Sequence, residues 1–209
     1  MPSTGTPCSN AACGARGVSA AVTDSGPPER VEAWGSNPAK SAAGGANGGH
    51  SPGGLRQAIV SRNSNNRARM VAGDCWDWKS KKDPGAMDIE LPEHDFAAQW
   101  NLTRDGSLWA LAEHSVEQIG CIHTIQGLEL DYVGVIIGPD LIVRDGVIQT
   151  DGRKRSSMDR SVRGIRKLYK EDPETAKREA DEIIKNTYRT LMTRGMKGCF
   201  VFCTDPETN

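Results

Sequence analysis

The run Tyr132-Val133-Gly134-Val135-Ile136-Ile137 has no polar alternate position. Such a run predicts a strand buried on both faces, which belongs in a parallel sheet covered by helices. The same texture returns at Cys199-Phe200-Val201-Phe202-Cys203 and predicts a final strand in the middle of that sheet. Ala68-Arg69-Met70-Val71-Ala72 reads as a shorter strand closed by Gly73. Two helical patterns lie between the apolar runs, so the chain is expected to be α/β.

In the first helical pattern Met158, Val162, Ile165 and Leu168 recur at spacings of four and three, giving one apolar stripe. The second begins with Asp172 as N-cap and Pro173 at the first helical position. Its inner stripe is expected to be Ala176, Ala180, Ile183, Thr187 and Leu191, with Glu174–Arg178 and Asp181–Lys185 paired on the wet face. Gly195 is expected to end it as a left-handed cap. Leu55 to Asn63 reads as the end of a helix, and Ser107 to Leu111 as a short strand. Leu141-Ile142-Val143 and Val147-Ile148-Gln149 flank Arg144-Asp145-Gly146, a hairpin signal. Asp88 to Trp100 carries no clear period.

Residues 1–54 differ in kind. Gly, Ala, Ser and Pro dominate, as in Ser41-Ala42-Ala43-Gly44-Gly45-Ala46-Asn47-Gly48-Gly49. Such a stretch buries too little surface to offset its backbone entropy, so a disordered tail is expected before a domain spanning 55–209. Charge over the 209 residues is balanced, 26 basic against 27 acidic, so any nucleic-acid surface must be a local patch. No run approaches the roughly 20 apolar residues that span a bilayer. The N-terminus has no basic start followed by an apolar run, so the expected location is cytoplasmic, with no membrane partner and with Cys8, Cys13, Cys75, Cys121, Cys199 and Cys203 as reduced thiols.

The chemistry is concentrated in His123-Thr124-Ile125-Gln126-Gly127-Leu128-Glu129, just before the buried run, and in Thr193-Arg194-Gly195. A ligand loop of this kind is expected at the carboxyl edge of an open sheet. Gly127 lets backbone approach a ligand closely. Glu129 can accept hydrogen bonds from ribose hydroxyls, and His123 and Thr124 can reach a nucleic-acid backbone. The bland alternative is a plain strand-turn-strand with an incidental Glu. Arg194 at a helix end can reach across an interface to a transferring phosphoryl group; alone, it is equally a favourable cation at a helix C-terminus.

These two segments resemble motifs V and VI of superfamily 1 helicases. More closely, Leu55 to Glu207 is similar to the C-terminal part of the Schlafen-like DNA/RNA helicase family, through Ala72-Gly73-Asp74-Cys75-Trp76-Asp77-Trp78, Ile122–Gly138, Pro139-Asp140-Leu141 and Ile184–Asp205. The resemblance implies a RecA-like parallel sheet flanked by helices, the second lobe of a motor, with ATP and Mg²⁺ held between two lobes and DNA or RNA as partner. It places Gln126, Gly127 and Glu129 at the nucleotide, with Glu129 on the ribose. His123 and Thr124 couple nucleotide to nucleic acid. Arg194 is the catalytic contact to the γ-phosphate. Cys121 stands where many superfamily 1 members have Thr, and Arg189 where they have Tyr.

The family's other lobe carries a Gly-x-x-x-x-Gly-Lys-Ser/Thr loop whose amides and lysine cradle phosphates. The sequence contains no Gly-Lys pair; Pro38-Ala39-Lys40-Ser41 has Ala39 in place of the glycine. The expectation is therefore a lobe inactive without its partner lobe. An alternative from another class is a non-catalytic binding module. It would use the basic stretch from Arg153 to Lys170, with Arg160, Arg163, Lys167 and Lys170 along one helix face as a phosphate-tracking surface or simply a solvated one. No metal site is expected, because the cysteine pairs lack zinc spacing. Asp140, Asp151 and Lys154 echo a nuclease site only faintly, since the acid-x-Lys spacing fails. Trp76, Trp78 and Trp100 suit base stacking or core packing.

Overall fold

The computed structural model describes residues 31–33, 51–101, 106 and 109–208. At its centre is β6 (Leu130–Ile137), the apolar run. It lies between β9 (Gly195–Cys203) and β2 (Ala68–Ala72). Outside β2 lies β5 (Ile119–Gly120), and outside β9 lies β1 (Val31–Ala33). All four pairings are parallel. The chain is thus an α/β parallel sheet flanked by helices.

Alternation along each strand divides the apolar residues between two cores. Val133, Val135 and Ile137 of β6, Cys199 and Cys203 of β9 and Val71 of β2 face α4 (Pro173–Met192) and α3 (Ile165–Glu171). Ile136, Phe200, Phe202, Met70 and Ala72 face the other way. They are covered by Leu55 and Ile59 of α1 (Pro52–Val60) and by an antiparallel hairpin, β3 (Ile89–Leu91) and β4 (Phe96–Ala98). Gly134 interrupts the apolar run because α1 passes directly over it: a Cβ there would meet Ile59 Cγ1 at 2.8 Å. The segment without a period, Asp88 to Trp100, is this hairpin. The second hairpin, β7 (Leu141–Arg144) with β8 (Val147–Thr150), lies where the Asp145-Gly146 turn predicts it; both turn residues take positive φ.

Several expectations change. The tail expected over 1–54 lies outside the described residues except at 31–33 and 51–54. There the chain forms β1 and the first turn of α1, capped by Ser51 accepting from the Gly54 N–H at 3.1 Å. The strand expected over 107–111 is a helical turn at residues 109–111, while 107–108 lie outside the described residues. Trp109 is fully buried there, its indole N–H donating to Gln118 Oε1 at 2.8 Å. The helix expected from Met158 to Leu168 is broken. Residues Arg160–Val162 form a 3₁₀ turn, Gly164 takes φ 85°, and α3 starts only at Ile165. The inner stripe of α4 runs through Ala176, Ala180, Ile184, Thr187, Tyr188 and Leu191, with Ile183 only partly buried. Glu174 pairs with Lys177, one residue short of Arg178, while Asp181–Lys185 forms as expected. Gly195 is not a left-handed cap. It opens β9 opposite Leu130, where a Cβ would collide with the Gly198 carbonyl oxygen. Among the described residues no helix is long and apolar enough to cross a membrane.

Candidate functional site

The segment expected to line one edge of the sheet runs from one edge to the other. Gly120 is level with Val71, and Val71 is level with Val135. The chain must therefore return from the carboxyl edge at Gly120 to the amino edge at Leu130 before β6 can begin. Residues His123 and Thr124 stay at the carboxyl edge on the short helix α2 (Ile122–Ile125). Gln126 ends that helix, Gly127 turns the chain with φ 81°, and Glu129 arrives at the amino edge. The carboxyl-edge expectation therefore holds for His123 and Thr124 and fails for Glu129.

At the amino edge the two distant segments meet. The Leu130 N–H donates to the Arg194 carbonyl at 2.9 Å, and Leu130 is in register with Gly195. Arg67 fixes the same point by donating to the Glu129 carbonyl at 3.1 Å. The Gln126, Gly127 and Glu129 side of the loop is exposed. Arg194 is half-buried, with one 3.4 Å contact from Nη2 to the Thr193 hydroxyl. Its Nε is buried with no hydrogen-bond partner among the described residues. A buried guanidinium nitrogen without an acceptor costs free energy unless something supplies one.

The carboxyl edge is built differently. Arg155, 2% exposed, sits among three carboxylates: Nε donates to Asp159 at 2.7 Å, Nη1 to Asp140 at 3.2 Å and Nη2 to Asp74 at 3.4 Å. Burial opposes its charge, but Asp159, Asp140 and Asp74 together outweigh that and hold its pKa above the ordinary value. Asp140, fully buried, also accepts from the Tyr188 hydroxyl at 2.6 Å, and Tyr188 accepts from the Gly138 N–H at 2.9 Å. This chain ties the ends of β2 and β6 to α4. With one arginine shared three ways, burial wins at Asp74 and pushes its carboxyl up to about 6, against the pull of Arg155. The faint nuclease echo dissolves here: Asp140 is spent on Arg155 and Tyr188, and Asp151 caps a turn by accepting from the Arg153 N–H at 2.9 Å.

Thr124 also has a local task. Its hydroxyl donates to the Cys121 carbonyl at 2.8 Å and accepts from the Cys121 N–H at 2.9 Å, capping α2. His123 is exposed beside it. The basic stretch is not one face, because Gly164 separates Arg160 and Arg163 from Lys167. Arg160 turns toward the carboxyl-edge cavity, while Lys167 is exposed and pairs with Glu171 at 3.5 Å. Trp100 is buried, its indole N–H donating to the Trp76 carbonyl at 3.3 Å, whereas Trp76 and Trp78 are half-buried. Cys199 and Cys203 are buried thiols, pushed up to about 12 and about 11, by burial in both cases. Among the described residues no group of three or more His, Cys, Asp or Glu is placed to hold a metal.

Sequence reasoning passed over Arg155, Tyr188 and Asp74 as participants. Asp74 and Asp140 each directly follow a strand-ending glycine or Gly-Pro, which was the available signal; nothing marked Arg155 apart from its basic neighbours.

The family model described as Schlafen group 3, DNA/RNA helicase domain matches residues 49–205. An uncharacterized protein of Saccharomyces cerevisiae is 30% identical over 115 residues, covering 54% of this chain and 24% of that protein. The chain thus spans about a quarter of that relative's length. No solved structure matches. The family match covers both sheet edges and every candidate residue, and the chain belongs to the Schlafen group 3 DNA/RNA helicase domain family.

Proposed function

We propose that the chain is the second RecA-like lobe of a superfamily 1 type, ATP-dependent DNA or RNA helicase or nucleic-acid-stimulated NTPase. The observation that carries this is the amino edge, where backbone bonding sets Glu129 beside Arg194 and leaves Arg194 Nε buried without an acceptor. A phosphate oxygen is a fitting acceptor, since a guanidinium fork matches its geometry. In this reading Gln126 and Gly127 border the nucleotide and Glu129 accepts from the ribose hydroxyls. Arg194 stabilises charge that develops on the γ-phosphate. The Mg²⁺ that travels with ATP finds no ligand set among the described residues; it and the phosphate cradle belong to a second lobe across the amino edge. At the carboxyl edge, His123 and Arg160 face nucleic acid, and Arg163 and Lys167 lie farther along the basic segment. The site of action is cytoplasmic. The reading as a non-catalytic module loses its main support, because the basic helix face is broken at Gly164.

The test is ATP hydrolysis by these residues alone and then joined to a lobe that carries a Gly-Lys-Thr phosphate loop. The account expects background turnover in the first case and nucleic-acid-stimulated turnover in the second. Steady hydrolysis by the chain alone, abolished by Glu129→Ala, would contradict it.

A further inference from the structure

A cavity of about 280 Å³ opens at the carboxyl edge, on the opposite side of the sheet from Arg194. Trp76, Trp78 and Trp100 form its apolar wall, while Asp74, His123 and Arg160 supply polar groups. The Trp78 backbone N–H donates to Met158 Sδ at 3.3 Å, and the Trp78 ring lies 6.3 Å from that of Trp100 at 47°. The exposed Lys81 places its ammonium 3.7 Å from the centre of the Trp78 ring. A ring face covered by an exposed cation is one that a flat π-system can take over, freeing the lysine for a phosphate.

We infer that this cavity receives an unpaired nucleobase, stacked on Trp78, from a single strand of DNA or RNA running over the carboxyl edge. The inference rests on the nucleic-acid part of the proposed function and adds where and how the strand is held. Three features favour a base over other occupants. A bare anion would face Asp74 and Asp159. An aliphatic side chain would leave Asp74 with only the long contact from Arg155, whereas base amino and imino groups supply a further donor. Asp74 has a single 3.4 Å contact from an arginine already engaged by two other carboxylates, and its carboxyl, raised to about 6, responds to whatever donor approaches. Lys81, His123 and Arg160 ring the opening with the charge that a backbone needs.

The experiment is equilibrium binding of the full chain, read by tryptophan quenching and by anisotropy of a labelled strand. Its ligands are a short single-stranded oligonucleotide, an abasic strand of equal length and charge, and a free nucleoside monophosphate. The intact strand is expected to bind on the order of tenfold or more tighter than the abasic one. Trp78→Ala should erase that difference while leaving abasic binding unchanged, and Trp78→Phe should restore most of it. Equal binding of the intact and abasic strands overturns the base pocket and leaves the backbone contacts standing. Binding of neither strand overturns both this inference and the nucleic-acid reading beneath it. A mononucleotide that binds as tightly as the strand overturns the strand as the source of the base.

Discussion

The two ends of one sheet treat arginine in opposite ways. At the carboxyl edge Arg155 is sealed from solvent and meets three carboxylates. At the amino edge Arg194 is half-buried, and among the described residues its guanidinium has one hydrogen bond, to the neighbouring Thr193 hydroxyl, and an unpartnered Nε. A saturated guanidinium has no bond left to offer a ligand and serves to hold strands and helix together. An unsaturated one has hydrogen-bonding capacity for something outside the fold. The difference teaches that residue type alone does not separate the two arginines; the count of satisfied donors does.

The largest stability effect is expected at Arg155. Arg155→Ala leaves Asp74, Asp140 and Asp159 facing one another without a cation, and breaking such a buried cluster costs about 3–5 kcal/mol. Thermal melting should fall by about 10 °C. A melting point within about 2 °C of the original would show that the carboxylates find other compensation and would erase the contrast between the edges.

Asp74 gives an intermediate, pH-dependent effect. Its folded pKa, about 6, lies above the unfolded value, so the folded state binds the extra proton between pH 4 and pH 6. Stability from this group is therefore greatest below pH 4 and is lost as pH rises through 6, on the order of 2–3 kcal/mol in all. Asp74→Asn removes that dependence. The melting point of the variant relative to the parent should climb between pH 4 and pH 7; a difference flat with pH would place Asp74 in solvent.

The smallest effect belongs to Arg194. Arg194→Ala in this chain should change stability by no more than about 1 kcal/mol, the range for a cation at a helix end. A loss comparable to that of Arg155→Ala would make Arg194 a structural residue and bring the two edges into line.

Which parts of this were legible follows from what each residue pattern encodes. The strands β6 and β9 were readable because the runs Tyr132 to Ile137 and Cys199 to Cys203 leave no polar alternate position, and β2 was readable as a short run closed by Gly73 despite Arg69 within it. The cap of α4 was readable from Asp172-Pro173, and Asp172 accepts from the Thr175 N–H at 3.1 Å. The break at Gly164 was not, because the spacing of Met158, Val162, Ile165 and Leu168 fits a helix and only the backbone at one glycine refuses it. Of the candidate site, the pairing of the Glu129 and Arg194 segments came from the resemblance. Their meeting at the amino edge follows from strand register, which a linear motif does not carry. The Arg155 node was hidden because two of its partners, Asp74 and Asp140, come from distant segments, and only Asp159 lies near it in sequence.

The central claim is that Arg194 waits for a phosphate from across the amino edge. The most direct measurement is steady-state ATP hydrolysis, in the presence of single-stranded nucleic acid, by this chain joined to a phosphate-loop lobe, with and without Arg194→Ala. The account predicts a fall in kcat on the order of a thousandfold or more with a much smaller change in KM, because the contact strengthens as charge develops in the transition state. A variant that turns over normally would contradict the account.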